Sequence, residues 1–308
     1  MLINFKKISS YLGKFMKLIN NKINHVLQKE ENGILYIVPT PIGNFADITQ
    51  RALITLKNVN IIAAENIYHT HTLLKNFNIS NKLILINKNN EKKQSKKIII
   101  KLKTGKKIAL VSNAGTPIIN DPGFTLVKSC HENKIRVIPL PGACAAITAL
   151  SASGISSNRF CYEGFLPATK IARCNLLKSL QKETRTIIFY ESPNRILNSI
   201  TDIINVMGAE RNLVLVKEIS KYWESIYSSK SCELLSWLKK DINHCKGEMV
   251  IIIEGFKKLS KNLLTQQIYD TLSLIQKEIS LKKAVELTAK IYKTKKNILY
   301  QYAIKNFK

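Results

Sequence analysis

The chain has 308 residues, which is enough for two domains with sizeable hydrophobic cores. Hydrophobic residues make up 45% of it and charged residues 22%, as in an ordinary soluble globular protein. The six cysteines include no CxxC pair and no secretory signal precedes them. A disulfide framework is therefore excluded, and reduced thiols in a cytoplasmic protein are expected.

A net charge of +27 favours a polyanionic partner such as nucleic acid. A second interpretation stays open, because only seven of the 48 basic residues are arginines, and AT-rich codon usage also produces a lysine-rich chain. The arginines lie between Arg51 and Arg211, and we expect them where a planar, bidentate donor is required. Residues 1–32 form a basic extension that we expect to be disordered.

Apolar runs alternate with helical patterns from residue 34 onward. Buried strands are predicted at 34–38, 59–64, 83–86, 107–111 and 135–140, and helices at 47–57, 68–77, 91–104 and 122–132. Asp47 with Gln50 three residues later is a capping-box signature, and Asp121 before Pro122 predicts another helix start. The alternation predicts an α/β domain with a largely parallel sheet over residues 33–157.

A second α/β domain is predicted over residues 158–256. Its strands are predicted at 185–191, 212–219, 222–228 and 248–255, with helices after Ser192 and near 232–240. Residues 257–308 form a basic helical tail, in which 280–305 predict two amphipathic helices resembling a helix-turn-helix unit. Residues 137–158 carry no charge, but their prolines and glycines predict a buried helix and no membrane span.

Loops rich in glycine and proline follow three predicted strands of the first domain, at 39–44, 112–123 and 141–150. Ligands of open α/β sheets bind at the carboxyl ends of the strands, so three such loops favour a ligand site there. The first strand is not followed by GxGxxG, and no GxxxxGK[ST] occurs. Dinucleotide binding of the Rossmann type and P-loop phosphoryl transfer therefore lose support.

The stretch 63–72, AAENIYHTHT, raises the question of a metal site, because Glu65, His69 and His71 are possible zinc ligands. Two histidines that are two positions apart cannot share one face of a helix, so the spacing fits a metal site poorly. Possible phosphate-binding patches of Lys and Arg lie at 90–97, 168–173 and 293–305.

Six segments in order resemble the ribosomal RNA small subunit methyltransferase I family, of the tetrapyrrole-methylase-like superfamily. They are LYIVPTPIGNFADITQRAL, VSNAGTPIINDPG, IPLPGACAAITALSASGI, RFCYEGFLP, FYESPNR and KGEMVIIIEG, and they span roughly residues 33 to 255. The resemblance implies two α/β domains with S-adenosyl-L-methionine in the cleft between them. It also implies 2′-O-methylation of a decoding-centre cytidine in 16S rRNA within the small ribosomal subunit, and a homodimer.

The resemblance also implies roles for individual residues. The expected cofactor-binding residues are Pro41, Ser112, Asn113, Ala114, Gly115, Thr116, Pro141, Gly142, Ala143 and Gly247. Tyr190, Glu191, Gly247 and Glu248 would close the cleft from the second domain. A ribose hydroxyl needs a proton acceptor, for which Glu65 and Glu191 are the candidates. Each could instead be a structural carboxylate that pairs with Lys or Arg. The resemblance implies no metal.

The chain departs from the family pattern at four places. Asn66 and Asn113 stand where the family has aspartate, Ile67 stands for threonine and Tyr68 stands for arginine. Asparagine keeps the shape of aspartate but accepts no proton at neutral pH. Two other functions therefore stay open: a ribosome-binding protein whose methylase activity has decayed, and a methylase of tetrapyrroles. By resemblance, 63–72 is an acceptor-site loop, in which His69 orients the loop and His71 is solvated.

Overall fold

The computed structural model describes residues 33–257 and 266–307, and the predicted basic extension 1–32 lies outside these ranges. The first sheet is wholly parallel, with strand order β3-β2-β4-β1-β5, and the parallel α/β prediction is confirmed. The strands are β1 (Ile34–Ile37), β2 (Ile61–Ala64), β3 (Leu83–Leu85), β4 (Ile108–Val111) and β5 (Arg136–Pro139). The helices between them are α1 (Gln50–Asn58), α2 (Ile67–Asn76), α3 (Glu91–Lys103) and α4 (Phe124–Glu132).

The central strands β1, β2 and β4 are buried along their whole length. Both faces of the sheet are covered, because alternate residues of the same strand join two separate hydrophobic clusters. Leu35 packs in one cluster and Tyr36 in the other. Such strands show continuous apolar runs rather than alternation, which is why the sequence predicted them closely.

Two predicted helix caps are wrong. Helix α1 begins at Gln50, and the Thr49 hydroxyl accepts from the Ala52 N–H, while Asp47 lies in a short 3-10 turn before it. Helix α4 begins at Phe124 with Gly123 as its N-cap, so Asp121 caps nothing. In both cases the loop continues past the residue that was predicted to cap the helix. The carboxylate of Asp121 is therefore not used as a helix cap.

The second sheet has the order β6-β7-β10-β8-β9 and is mixed, since β6 and β7 are parallel and the other pairs are antiparallel. Its strands are β6 (Phe160–Phe165), β7 (Thr186–Glu191), β8 (Asn212–Lys217), β9 (Ser225–Lys230) and β10 (Met249–Ile253). Its helices are α6 (Lys170–Ser179), α7 (Ile196–Met207) and α8 (Ser231–Lys240). The edge strand β6 and helix α6 escaped prediction.

Helix α5 (Ala145–Ala152) joins the two sheets. It follows β5 in the chain, yet Ala146, Ala149 and Leu150 pack against the second sheet. The Ala146 N–H also donates to the Tyr190 hydroxyl at 3.2 Å. The helix is short and made of small residues, so a strand end of one domain lies close to the sheet of the other.

The tail forms a helical unit with its own core. Helices α9 (Gln266–Glu278), α10 (Leu281–Ile291) and α11 (Lys296–Phe307) pack through residues that include Leu272, Val285 and Leu299. The two predicted helices at 280–305 are confirmed, and α9 precedes them. In the parts of the chain that are described, every helix is too short or too polar to cross a bilayer.

Candidate active site

The three glycine- and proline-rich loops meet at one edge of the first sheet. Thr40 and Gly115 exchange two backbone hydrogen bonds, of 2.9 and 3.0 Å, which join the first loop to the second. The Thr116 hydroxyl donates to the Ala143 carbonyl at 2.9 Å, which joins the second loop to the third. Gly142 packs on Pro39 so closely that an added Cβ would lie 2.5 Å from the proline Cβ. The loops thus form one connected structure.

The loop 112–123 has a strained backbone. Gly115, Ile118 and Asn120 have φ values of +76°, +79° and +69°. A positive φ is a genuine outlier for a β-branched residue such as Ile118, and strain of this kind clusters at ligand-binding sites. The Ser112 hydroxyl is buried and donates to the carbonyls of Ala114 and Gly115 at 3.2 and 3.3 Å, which holds the turn together.

A cavity of about 390 Å³ lies between these loops and the second domain. Two carboxylates line it from the first domain, Glu65 after β2 and Asp121 in the loop after β4. Glu65 Oε2 accepts a hydrogen bond from the Asn113 backbone N–H at 3.1 Å. Burial, and then the negative charge of Glu65, raise the pKa of Asp121 from 3.8 to about 6, although the Ser112 hydroxyl and Lys88 oppose the shift.

Asn113 has an unsatisfied acceptor. Its side-chain Oδ1 is buried and has no hydrogen-bond partner within the described ranges. A buried amide oxygen without a donor is unfavourable by about 1–3 kcal/mol. Because Asn113 lines the cavity, a ligand hydroxyl or amino group would satisfy this oxygen.

Aromatic side chains form the opposite wall. Tyr190 lies between Tyr162 and Phe165, with ring centroids 5.1 and 5.6 Å away in edge-to-face contacts. Burial raises the pKa of Tyr190 to about 12, so its hydroxyl stays protonated near neutral pH. Met249 and Val250 of β10 extend this wall. The cavity is therefore acidic and amide-rich on the side of the first domain, whereas the second domain contributes this aromatic and apolar wall together with Glu191 and Glu248.

The carboxylate of Glu191 is fully engaged. Its Oε1 accepts from the Ser192 N–H and the Arg195 guanidinium, both at 2.6 Å, and its Oε2 accepts from the Ser199 hydroxyl at 2.5 Å. The side chain has no exposed surface. Although Glu191 lines the cavity, these contacts favour the structural carboxylate over a proton acceptor.

The structure brings some of the expected site residues together around the cavity and places the others outside its lining. The expected residues that line the cavity are Glu65, Asn113, Ala114, Gly115, Thr116, Tyr190, Glu191 and Glu248. Those outside its lining are Pro41, Ser112, Pro141, Gly142, Ala143 and Gly247, of which Ser112, Gly142 and Ala143 hold the loops together as described. Lining residues without a predicted role include Ile42, Asp121, Phe165 and Ile219.

Gly247 packs closely against Glu218 and does not line the cavity. Its φ is +92°, and an added Cβ would lie 2.5 Å from Glu218 Cγ. This close approach lets the Glu248 N–H donate to Glu218 Oε1 at 2.7 Å. Gly247 therefore shapes the rim from the second domain.

The histidine-containing stretch 63–72 is not the loop that the resemblance implied. Residues 67–76 form α2, and the Asn66 side chain caps it by accepting from the His69 N–H at 3.1 Å. His69 and His71 are both exposed on this helix. Within 33–257 and 266–307, no three His, Cys, Asp or Glu side chains are grouped so that they could hold a metal ion.

The residues at the cavity fit S-adenosylmethionine. The ligand has amino and hydroxyl donors that match the unpaired Asn113 Oδ1, and a cationic centre that suits a cavity lined by four carboxylates. Its purine and thioether parts suit the apolar wall around Tyr190 and Phe165. Gly115 lines the cavity and has no side chain, so the ligand can approach the loop closely at this position.

Comparison with known proteins defines the class. Residues 34–235 match the family described as Tetrapyrrole (Corrin/Porphyrin) Methylases. Solved structures share the fold: uroporphyrin-III-C-methyltransferase from Thermus thermophilus (TM-score 0.52, 15% identity, 72% of this chain and 94% of that chain) and diphthine synthase (TM-score 0.55, 13% identity, 72% and 90%). The protein is thus an α/β methylase of the tetrapyrrole methylase type, a class that uses S-adenosylmethionine.

Full-length relatives narrow the assignment. A ribosomal RNA small subunit methyltransferase I of Buchnera aphidicola (subsp. Acyrthosiphon pisum) is 64% identical and covers 89% of this chain and 97% of its own. Its counterpart from Escherichia coli O157:H7 is 52% identical, over 91% and 98%. Residues 264–306 match the RsmI C-terminal HTH domain. The chain belongs to the ribosomal RNA small subunit methyltransferase I family, as the six segments predicted.

Proposed function

We propose that this chain transfers a methyl group from S-adenosylmethionine to the ribose 2′-hydroxyl of a decoding-centre cytidine in 16S rRNA. The substrate is the small ribosomal subunit, which places the reaction in the cytoplasm. The observation that carries the proposal is the cavity at the domain junction, in which the loops of the first domain meet an aromatic wall and Asp121 has a pKa raised to about 6. The names of the full-length relatives support the choice of substrate.

The residues that would hold the cofactor are those of the connected loops. We assign Asn113 to Thr116 to direct contact, because they line the cavity, and Ser112 and Gly142 to support of the loop backbone. When bound, S-adenosylmethionine supplies an electrophilic methyl group on a sulfonium. The apolar wall would reduce the access of water to the site, and the hydrogen-bonded loops would fix the orientation of the reactants.

Asp121 is the proton acceptor that we propose for the ribose hydroxyl. A base with a pKa of about 6 is ionised at neutral pH and still has appreciable affinity for a proton. Glu65 lies beside it in the cavity, and its charge supports this proton affinity. Its hydrogen bond from the Asn113 N–H holds it in place. Glu65 stays the second candidate for the acceptor.

The departures from the family pattern leave this assignment intact. Asn66 caps α2 as an aspartate would, since both side chains accept the N–H of the third helical residue. Asn113 contributes a backbone N–H and an amide oxygen to the site, and neither role needs a charge. The observed contacts therefore favour an active enzyme over a protein whose chemistry has decayed.

Exposed lysines supply a surface for RNA phosphates. Helix α3 exposes Lys92, Lys93, Lys96, Lys97 and Lys101, which includes most of the predicted patch at 90–97. Lys293 and Lys295 are exposed between α10 and α11 of the tail, and Lys296 is exposed at the start of α11. Contacts of this kind bind phosphate without reading sequence and weaken steeply with salt. A homodimer stays a prediction, to be checked by light scattering.

The test is transfer of labelled methyl from S-adenosylmethionine to small subunits that lack the modification, followed by mapping of the methylated ribose. We expect label on one decoding-centre cytidine, and its loss in Asp121→Asn with cofactor binding retained. Subunit and cofactor binding without transfer would identify a binding protein whose chemistry has decayed. Transfer to tetrapyrrole precursors instead of subunits would identify the third possibility.

A further inference from the structure

Two aromatic side chains project from the second domain into solvent. Tyr222 and Trp223 are 88% and 75% exposed, and their rings contact each other edge to face with centroids 4.8 Å apart. The sequence predicted a strand at 222–228, but β9 begins at Ser225, so both rings lie in the connection after β8. Adjacent exposed aromatic rings mark an interaction surface, because their hydration is unfavourable.

The connection that carries the rings is held rigidly. The Ser220 N–H donates to the Glu224 carboxylate at 2.6 Å, and the Glu224 N–H donates to the Lys221 carbonyl at 3.1 Å. Lys221 Nζ pairs with Glu218 at 2.9 Å and with Glu248 at 3.0 Å. A partner that binds the rings therefore finds their backbone already ordered, which lowers the entropic cost of binding.

This connection adjoins the cavity. Ile219 and Glu248 line the cavity itself. On the other side, the Ser220 hydroxyl donates to the Asp47 carboxylate of the first domain. Lys221 packs against Gly43, where there is no room for a Cβ. The aromatic pair thus lies three and four positions after the cavity-lining Ile219, close to the proposed acceptor site.

We propose that Tyr222 and Trp223 form a stacking platform for an unpaired RNA base adjacent to the nucleotide that is methylated. The proposal rests on the proposed function, because a base enters the cavity only if RNA is the substrate. Proteins hold unpaired bases by stacking them on aromatic rings. Lys221 is neutralised by two carboxylates, so this surface suits the face of a base rather than a phosphate.

A second copy of the chain is the competing occupant. Stable protein interfaces bury on the order of 1,200 Å² or more, which two rings cannot supply alone. Their neighbours in the connection, Ser220, Lys221 and Glu224, are polar and already bonded within it. The net charge of +27 further favours a polyanion over another copy of the same chain.

The test compares affinities for small subunits that lack the modification. Trp223→Ala should weaken binding by about 5- to 150-fold, the range for loss of one stacked base, and Trp223→Phe should retain most of the affinity. The factor should be the same at low and high salt, because stacking releases no counterions, whereas Lys96→Ala should reduce the salt slope. Ile242→Ala truncates a side chain that is 75% exposed in the turn after α8 and belongs to neither proposed RNA surface, so it should leave the affinity unchanged.

Two further measurements keep the outcome decisive. Binding of S-adenosylmethionine and the melting temperature should be unchanged in Trp223→Ala, and Tyr222→Ala provides an independent variant should the first misfold. Unchanged subunit affinity in both would overturn the platform, and so would conversion of a dimer to a monomer. A wild-type protein that binds subunits but transfers no methyl group would refute the proposed function alone, since the affinity ratio still tests the platform.

Discussion

The Glu65 carboxylate accepts the backbone N–H of Asn113 at 3.1 Å, which ties the end of β2 to the loop after β4. This bond holds one negative charge beside the wall of the cavity, where Asp121 also lies. Burial and that charge together raise the pKa of Asp121 to about 6. A residue 56 positions away in the chain thus adds to the effect of burial on the proton affinity of the proposed base.

The pH dependence of methyl transfer should report this coupling. Asp121 must be ionised to accept a proton, so the rate should fall as the pH drops through about 6. This fall is the acidic limb of the pH–rate profile. Glu65→Gln removes a negative charge and should move the limb to lower pH. Asn113→Asp restores the family's aspartate, adds a negative charge and should move the limb to higher pH.

Single-turnover rates between pH 5 and 8 would measure the limb in each variant. Glu132→Gln, which changes an exposed carboxylate on α4, is the matched control and should leave the limb in place. A limb that stays at the same pH in both cavity variants would remove Asp121 as the proton acceptor.

The stability of the protein should depend on pH in the direction opposite to the rate of methyl transfer. The pKa of Asp121 is higher in the folded state than its usual 3.8, so its contribution favours folding below that value and is lost as pH rises through about 6. Asp121→Asn carries no charge to bury, so its melting temperature should exceed that of the wild type at pH 7.5 and match it near pH 3.5. Scanning calorimetry at the two values decides, and equal melting temperatures at both would contradict the raised pKa.

Arg173 was predicted from the sequence to lie on the surface, and this prediction is wrong. It belongs to the predicted basic patch 168–173, yet it is 4% exposed and bonds to Asp202 of α7 at 2.7 and 2.8 Å. Its other donors reach the carbonyls of Pro167 and Ala168. The partner lies 29 positions away, so no local pattern could distinguish this arginine from its exposed neighbour Lys170.

Substitutions of Arg173 and Lys170 should have separate effects, the first on stability and the second on RNA binding. Arg173→Ala leaves Asp202 buried without its counter-charge and should reduce the free energy of unfolding by about 3–5 kcal/mol. Lys170→Ala should leave stability unchanged and weaken subunit binding at low salt. Urea unfolding and filter binding measure the two effects, and a stable Arg173→Ala with weakened RNA binding would restore the surface interpretation.

The sequence located the strands because central parallel strands are apolar along their whole length. It failed where partners are distant or polar: β6 is an exposed edge with no apolar run, and Asp121 before Pro122 resembles a helix cap. The three loops were predicted to meet because the carboxyl ends of parallel strands share one edge. Which residues face the cavity and which brace the loops depends on contacts such as Thr116 to Ala143.

Glu191 should prove structural rather than catalytic. Glu191→Gln keeps the shape but loses the charge that Arg195 pairs with, so we expect a loss of about 1–3 kcal/mol in unfolding free energy. Methyl transfer at saturating cofactor should fall by less than about tenfold, because a structural carboxylate does not take part in the reaction. A tenfold fall in rate corresponds to an activation barrier higher by about 1.4 kcal/mol. A far larger loss of rate without loss of stability would return Glu191 to the proton acceptor's role.

Gly115 should be needed for cofactor binding beyond its effect on the backbone. Its φ of +76° disfavours any Cβ, and in Gly115→Ala the added carbon would lie 3.2 Å from Ile42 Cγ2. Gly154 has a similar φ of +69° but nothing within 4 Å of an added Cβ, so Gly154→Ala is the matched control.

Both variants should lose about 1–2 kcal/mol of stability. Only Gly115→Ala should also weaken S-adenosylmethionine binding, by about tenfold for each 1.4 kcal/mol of lost contact. Titration calorimetry measures this difference, and equal affinities would place the cofactor away from the strained loop.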